Sequence, residues 1–208
     1  MSTNITLVYT PATPSLTYFA SNVTGATWTL TNTDTPDRLA HTVSIRNDSA
    51  TDHSGKTAII IGTDANGKSQ TEVIALPGAS ATVESTLFFK TLVSVTPSAS
   101  IGASTMDIGF TDTFASQILP LDWRAINNIT VFSFTVTGTI NYTLQNTVYD
   151  VQAIEPNSIV WQNTEDPYMV SATIDAIRSY YAPVKAIRII INSYSAGATL
   201  TFNCIGNG

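Results

Sequence analysis

Apolar and polar residues alternate singly along most of this chain. That period commits it to β-strands, because successive strand side chains leave opposite faces. Thr27-Trp28-Thr29-Leu30-Thr31 puts Trp28 and Leu30 on one face. Val43 and Ile45 share a face, with Ser44 and Arg46 opposite. Residues 58–61 form a wholly apolar run, which suits a strand buried on both sides. Further strands are predicted over residues 72–76, 92–95, 105–110, 148–154, 159–161, 187–192 and 198–204. Thr, Val and Ile fill them, and branching at Cβ fits a pleated, half-buried surface. The one helical candidate is residues 173–180, where Ile174 and Ile177 lie three apart and Pro183 follows; an ordered loop is the alternative.

Turn chemistry punctuates the strands. Asp52-His53-Ser54-Gly55 and Asp64-Ala65-Asn66-Gly67 each can place Gly at positive φ and close a hairpin. Residues 43–46, 58–62 and 70–76 are therefore predicted to form an antiparallel meander ended by Pro77-Gly78. Phe132, Phe134 and Val136 lie on one face, and Ile140, Tyr142 and Leu144 share that parity beyond Gly138. A loop at 137–139 would pair Val136 with Ile140 and Phe134 with Tyr142; a long strand bent at Gly138 is the alternative. Residues 187–192 and 198–204 are predicted to pair around a turn at 193–197.

The halves of the chain echo each other. Lys90-Thr91-Leu92 and Lys185-Ala186-Ile187 each lie at the same distance before a Gly-Ala pair, at Gly102 and Gly197. Trp28-Thr29-Leu30-Thr31-Asn32-Thr33 also matches Tyr142-Thr143-Leu144-Gln145-Asn146-Thr147. The expected architecture is all-β: two tandem antiparallel β-sandwiches, Ig-like or jelly-roll-like, with little helix, spanning residues 1–115 and 116–208.

Charge narrows the function. Nine Lys+Arg against fifteen Asp+Glu give a net charge of −6, and the cations are scattered. Nucleic-acid binding needs clustered cations, so it is not expected. Residues 1–9 carry no basic and apolar signal-peptide pattern, and no apolar run is long enough to span a bilayer. The chain reads as made in a reducing cytosol, away from membranes. Charged residues are only 12% of the chain, and 33 Thr supply neutral polarity instead.

Candidate chemistry is sparse. His41 and His53 are the only histidines, and both read as solvated residues beside strands. Cys204 lies in a strand with no neighbouring cation to activate it, and reads as a small buried side chain. One Cys and two distant His cannot build a tetrahedral zinc site. The turns at Asp52 and Asp64 offer oxygens to a cation without the spacing of a calcium loop; hairpin turns are the plainer reading. No catalytic, cofactor-binding or metal-ligating residues are assigned, and no enzymatic activity is expected. Candidate interface residues are Asp122, Trp123 and Arg124, which could fix the two domains to each other, and Trp161, Tyr180 and Tyr181, whose rings could meet a partner.

One stretch resembles a known kind of module. It runs from Ile59-Ile60-Ile61-Gly62-Thr63-Asp64-Ala65-Asn66-Gly67 through Thr71-Glu72-Val73-Ile74 and Leu76-Pro77-Gly78 to Phe89-Lys90-Thr91. It is similar to β-sandwich modules in virion proteins of tailed bacteriophages. Leu119-Pro120-Leu121-Asp122-Trp123, the segment 136–143 and Pro183-Val184-Lys185-Ala186-Ile187-Arg188 resemble the partner module that often follows. The closing Cys204-Ile205-Gly206-Asn207-Gly208 departs from that pattern. The resemblance implies a structural virion protein, capsid decoration (cement) or neck and tail component, with other virion proteins and copies of itself as partners. A carbohydrate- or host-receptor-binding module of a tail fibre or spike is the alternative.

Overall fold

The computed structural model describes residues 3–121, 130–180 and 183–206. Fifteen strands follow in order: β1 (Thr3–Tyr9), β2 (Ser15–Val23), β3 (Ala40–Asn47), β4 (Thr57–Thr63), β5 (Ser69–Ala75), β6 (Thr82–Phe89), β7 (Thr91–Pro97), β8 (Met106–Ala115), β9 (Leu119–Pro120), β10 (Thr130–Thr137), β11 (Ile140–Thr147), β12 (Gln162–Asn163), β13 (Ala176–Tyr180), β14 (Ala186–Tyr194) and β15 (Thr199–Gly206). Two single-turn 3-10 helices, Pro156–Ser158 and Pro167–Met169, are the only helical segments among the described residues. The protein is all-β.

The strands fall into two compact units, Pro14–Ala115 and Met1–Thr13 with Ser116–Gly208. One boundary falls between Ala115 and Ser116. The first thirteen residues, however, go with the C-terminal unit, because β1 pairs antiparallel along its whole length with β15. Residues 14–115 are thus an insertion between β1 and the rest of the C-terminal unit.

In the inserted unit, one sheet runs β2-β8-β3-β6 and the other β5-β4-β7. Val43, Ile45, Ile60, Leu92, Val95, Ile108 and Phe89 are buried. Gly109 lets β2 come close: a Cβ there would lie 2.0 Å from the Ser15 carbonyl oxygen. In the C-terminal unit, one sheet runs β1-β15-β10-β13, and β14 carries β11 and β9, with β12 beyond β11. Phe132, Phe134, Tyr142, Leu144, Ile189 and Phe202 fill its interior.

The two units share one topology. Replacing β2, β3, β4, β5, β6, β7 and β8 by β1, β10, β11, β12, β13, β14 and β15 turns each sheet of one into a sheet of the other. Even the short β9 has a counterpart. Pro120 pairs with Ala186 at the start of β14, and Asp34 makes an isolated bridge to Thr91 at the start of β7. The chain mostly alternates between sheets, the winding of an antiparallel jelly roll. The Lys90 and Lys185 echo follows this equivalence, since Thr91 and Ala186 open matching strands and Gly102 and Gly197 both have positive φ, 66° and 76°. The Trp28 echo does not: Tyr142 lies in β11, whereas residues 27–30 form no strand.

Several expected pairings fail for one reason. Short turns here carry the chain between sheets rather than closing hairpins within one. Thus β3 pairs with β6 and β8, so residues 43–46 join no meander with β4, although β4 and β5 do form a hairpin at Gly67. Gly55 is not at positive φ. At Gly138, with φ 77°, the chain passes from β10 to β11 in different sheets, and β14 and β15 separate in the same way. Residues 148–154 and 159–161 form no strand; Val151 and Ile159 instead pack with Ala186 in a small cluster. Residues 176–180, read as helix or loop, are strand β13, held by β10. Trp28 is buried as its parity required, but without a ladder.

Candidate docking faces

Outward positions on β1, β15, β10 and β13 come into register as rows. Asn4, Ile205, Val131 and Ser179 form one row, Thr6, Asn203, Ser133 and Ile177 the next, and Val8, Thr201 and Thr135 a third. None carries a charge. Val8 is 62% and Ile177 69% exposed, so apolar groups lie open among hydroxyls and amides. The Thr6 hydroxyl donates to Asn203 Oδ1 at 2.7 Å across the strands.

The inserted unit has a similar face on β5-β4-β7. Val73, Ile59 and Thr96 form one row, and Thr71, Ile61 and Ser94 another. Thr63 and Thr91 close the face with a hydroxyl–hydroxyl bond of 2.7 Å. Where the register shifts beside Gly62, Val93 stands 70% exposed. Such faces desolvate without burying ions, and like-charged copies can approach them at little electrostatic cost.

Trp161 and Tyr180 lie apart from these faces. The Trp161 ring packs on the Val151, Ile159 and Ala186 cluster, and Arg188 Cζ sits 4.4 Å from its centroid. Burial pulls the Arg188 guanidinium down to about 10. The Tyr180 ring meets Phe132 at 5.6 Å, and its hydroxyl accepts from Asn146 Nδ2 at 2.8 Å. Both rings are engaged in the packing of their own unit. Asp122, Trp123, Arg124 and Tyr181 lie outside the described residues.

The histidines differ from expectation, for both are buried. His41 sits inside β3 with Nδ1–H donating to the Thr111 carbonyl at 2.9 Å and Nε2 2.9 Å from Asp37 Oδ2. Phe110 and Phe114 flank its ring. His53 Nδ1 accepts from Lys56 Nζ at 3.2 Å. Cys204 is buried in β15, and burial pushes its thiol up to about 11. Asp64 Oδ1 accepts from the Asn66 and Lys68 amides, and Asp52 Oδ1 from the Ser54 amide, so both carboxylates cap their own turns. Among the described residues no three His, Cys, Asp or Glu side chains gather as a metal site.

Fold and faces together define an all-β protein of two like-wound antiparallel sandwiches. No family model matches the chain, and no curated protein does. Among solved structures, a chain of the infectious bursal disease virus Gt strain is similar at 12% identity and a TM-score of 0.20, over 99% of this chain and 70% of that one.

Proposed function

We propose that this chain is a non-enzymatic structural protein of a virus particle, of the tailed-phage decoration or neck-and-tail kind. It is made in the host cytoplasm and docks in repeated copies on other virion proteins. The observation that supports this most is the pair of uncharged outer sheet faces, one on each sandwich. Flat β faces of Thr, Ser, Asn and Val give hydrogen bonds and apolar contact without charge repulsion between neighbouring copies. The module resemblance around Ile59 to Lys90 points the same way.

The test is localisation in purified particles by electron cryo-microscopy, with wild-type protein and a Ser133→Lys variant that places a cation at the centre of the first face. Density at regular positions for wild type, and its loss for folded Ser133→Lys, is the expected result. Absence of the wild-type chain from particles overturns the reading, and so does unchanged occupancy for both Ser133→Lys and Ile59→Lys.

A further inference from the structure

The inserted unit holds an open cleft of about 450 Å³ lined by Tyr18, Asp34, Thr35, Pro36, Arg38 and Lys90. Its charged side chains are unspent. Asp34, Arg38 and Lys90 make no side-chain hydrogen bond or ion pair with another described residue, although two cations and a carboxylate share one small wall. The loop that presents them is fixed from several sides. The Thr35 hydroxyl donates to the Leu39 carbonyl at 2.7 Å, and Asp34 bridges Thr91. Asp37, next to Arg38, accepts from the Leu39 amide through Oδ1 and meets buried His41 through Oδ2. Arg38 is thereby held at φ 61°, in the left-handed region that a non-glycine residue rarely adopts. Tyr18 lines the same cleft, and its ring is set edge-on to Phe110 at 5.4 Å.

We propose that this cleft binds an acidic saccharide, a sugar residue bearing a carboxylate, and so gives the particle a glycan contact. The Arg38 fork matches a carboxylate in two parallel hydrogen bonds, and Lys90 adds a second cation. Asp34 is what selects a sugar: it accepts hydrogen bonds from hydroxyls and repels ligands that present only negative charge. The Tyr18 ring offers an apolar platform for a pyranose face, and the volume lies in the usual range for a small-ligand site. This goes beyond the virion role, which needs only the sheet faces.

The test is a titration of the full-length protein, followed by amide chemical shifts, with trigalacturonate, with neutral trigalactose, with a hexaglutamate peptide and with inorganic phosphate. Trigalacturonate is expected to shift Tyr18, Arg38 and Lys90 selectively, and trigalactose to bind at least tenfold more weakly. Arg38→Gln is expected to weaken trigalacturonate about tenfold or more, the worth of a charge-assisted hydrogen bond. Asp34→Asn is expected to weaken trigalacturonate while strengthening hexaglutamate, with dispersed spectra in both variants. Hexaglutamate or phosphate binding as tightly as trigalacturonate would make the cleft a plain anion site and overturn the proposal. Tighter trigalacturonate binding by Asp34→Asn, or no shift at these residues, would overturn it equally. None of these outcomes touches particle occupancy, so the virion reading stands or falls separately.

Discussion

The rings of Phe134 and Tyr142 stack at 4.6 Å and 17°, although their strands belong to different sheets. They tie the C-terminal sandwich together across the corner at Gly138. Each ring is fully buried or nearly so, and the Tyr142 hydroxyl donates to the Ile174 carbonyl at 3.0 Å.

Phe134→Ala should therefore cost about 3–5 kcal/mol through lost burial and a cavity. Tyr142→Phe keeps the stack and loses one hydrogen bond, for about 1 kcal/mol. Urea unfolding of both variants checks the contrast; equal losses would mean the stack contributes little.

Gly138 and Gly197 both sit at positive φ in this unit, but their surroundings differ. A Cβ on Gly138 would lie 3.1 Å from Ala198 Cα and Cβ, whereas Gly197 has nothing within 4 Å. Gly197→Ala should cost about 1 kcal/mol, from the backbone alone. Gly138→Ala should cost about 2–3 kcal/mol, because crowding adds to the strain. Thermal midpoints of the two variants give the order directly.

Burial pushes the Tyr9 and Tyr142 phenols up from 10.0 to about 12. Their neutral forms are favoured in the folded state, so their contribution is complete below pH 10 and is lost as pH rises through 12. Stability of the C-terminal unit should fall across that window. Phenolate absorbance should show two tyrosines that ionise near pH 12 rather than near 10.

At the acid end, Asp107 matters in the inserted unit. Burial alone would raise its carboxyl. The Asn22 amide at 2.8 Å, a hydrogen bond from Asp48 and Arg46 Nη2 at 2.6 Å together outweigh that and hold it below the usual carboxylate range, while Asp48 is raised in turn. A depressed carboxyl contributes stability above the ordinary carboxylate pKa and loses it as pH falls through the lowered value. Asp107→Asn should cost about 1–3 kcal/mol at neutral pH and flatten the acid limb of the stability profile. An unchanged acid limb in that variant would assign the acid loss to other carboxylates.

Much of the candidate docking surface was legible in the sequence, because parity along a strand decides which side chains share a face. Ser133 and Thr135 oppose Phe132 and Phe134 by position alone, and the lack of charge at outward positions can be read there. The acidic-saccharide cleft was not legible. Tyr18, Asp34 and Lys90 come from separate stretches, and only the closure of β7 beside residues 34–38 brings them together.

The alternation of Thr, Val and Ile with apolar partners determined by itself that this chain is all-β, and the Lys90 and Lys185 echo that it is wound twice in the same way. Tertiary structure decided which strands pair. A turn at Gly138 or Gly197 fits a hairpin and a corner between sheets equally well locally, and what separates them is where Phe134, Tyr142 and Phe202 find apolar cover. It also decided that β1 joins β15 and that residues 176–180 extend along β10. Backbone hydrogen bonds between distant segments favour these arrangements, and no local pattern records them.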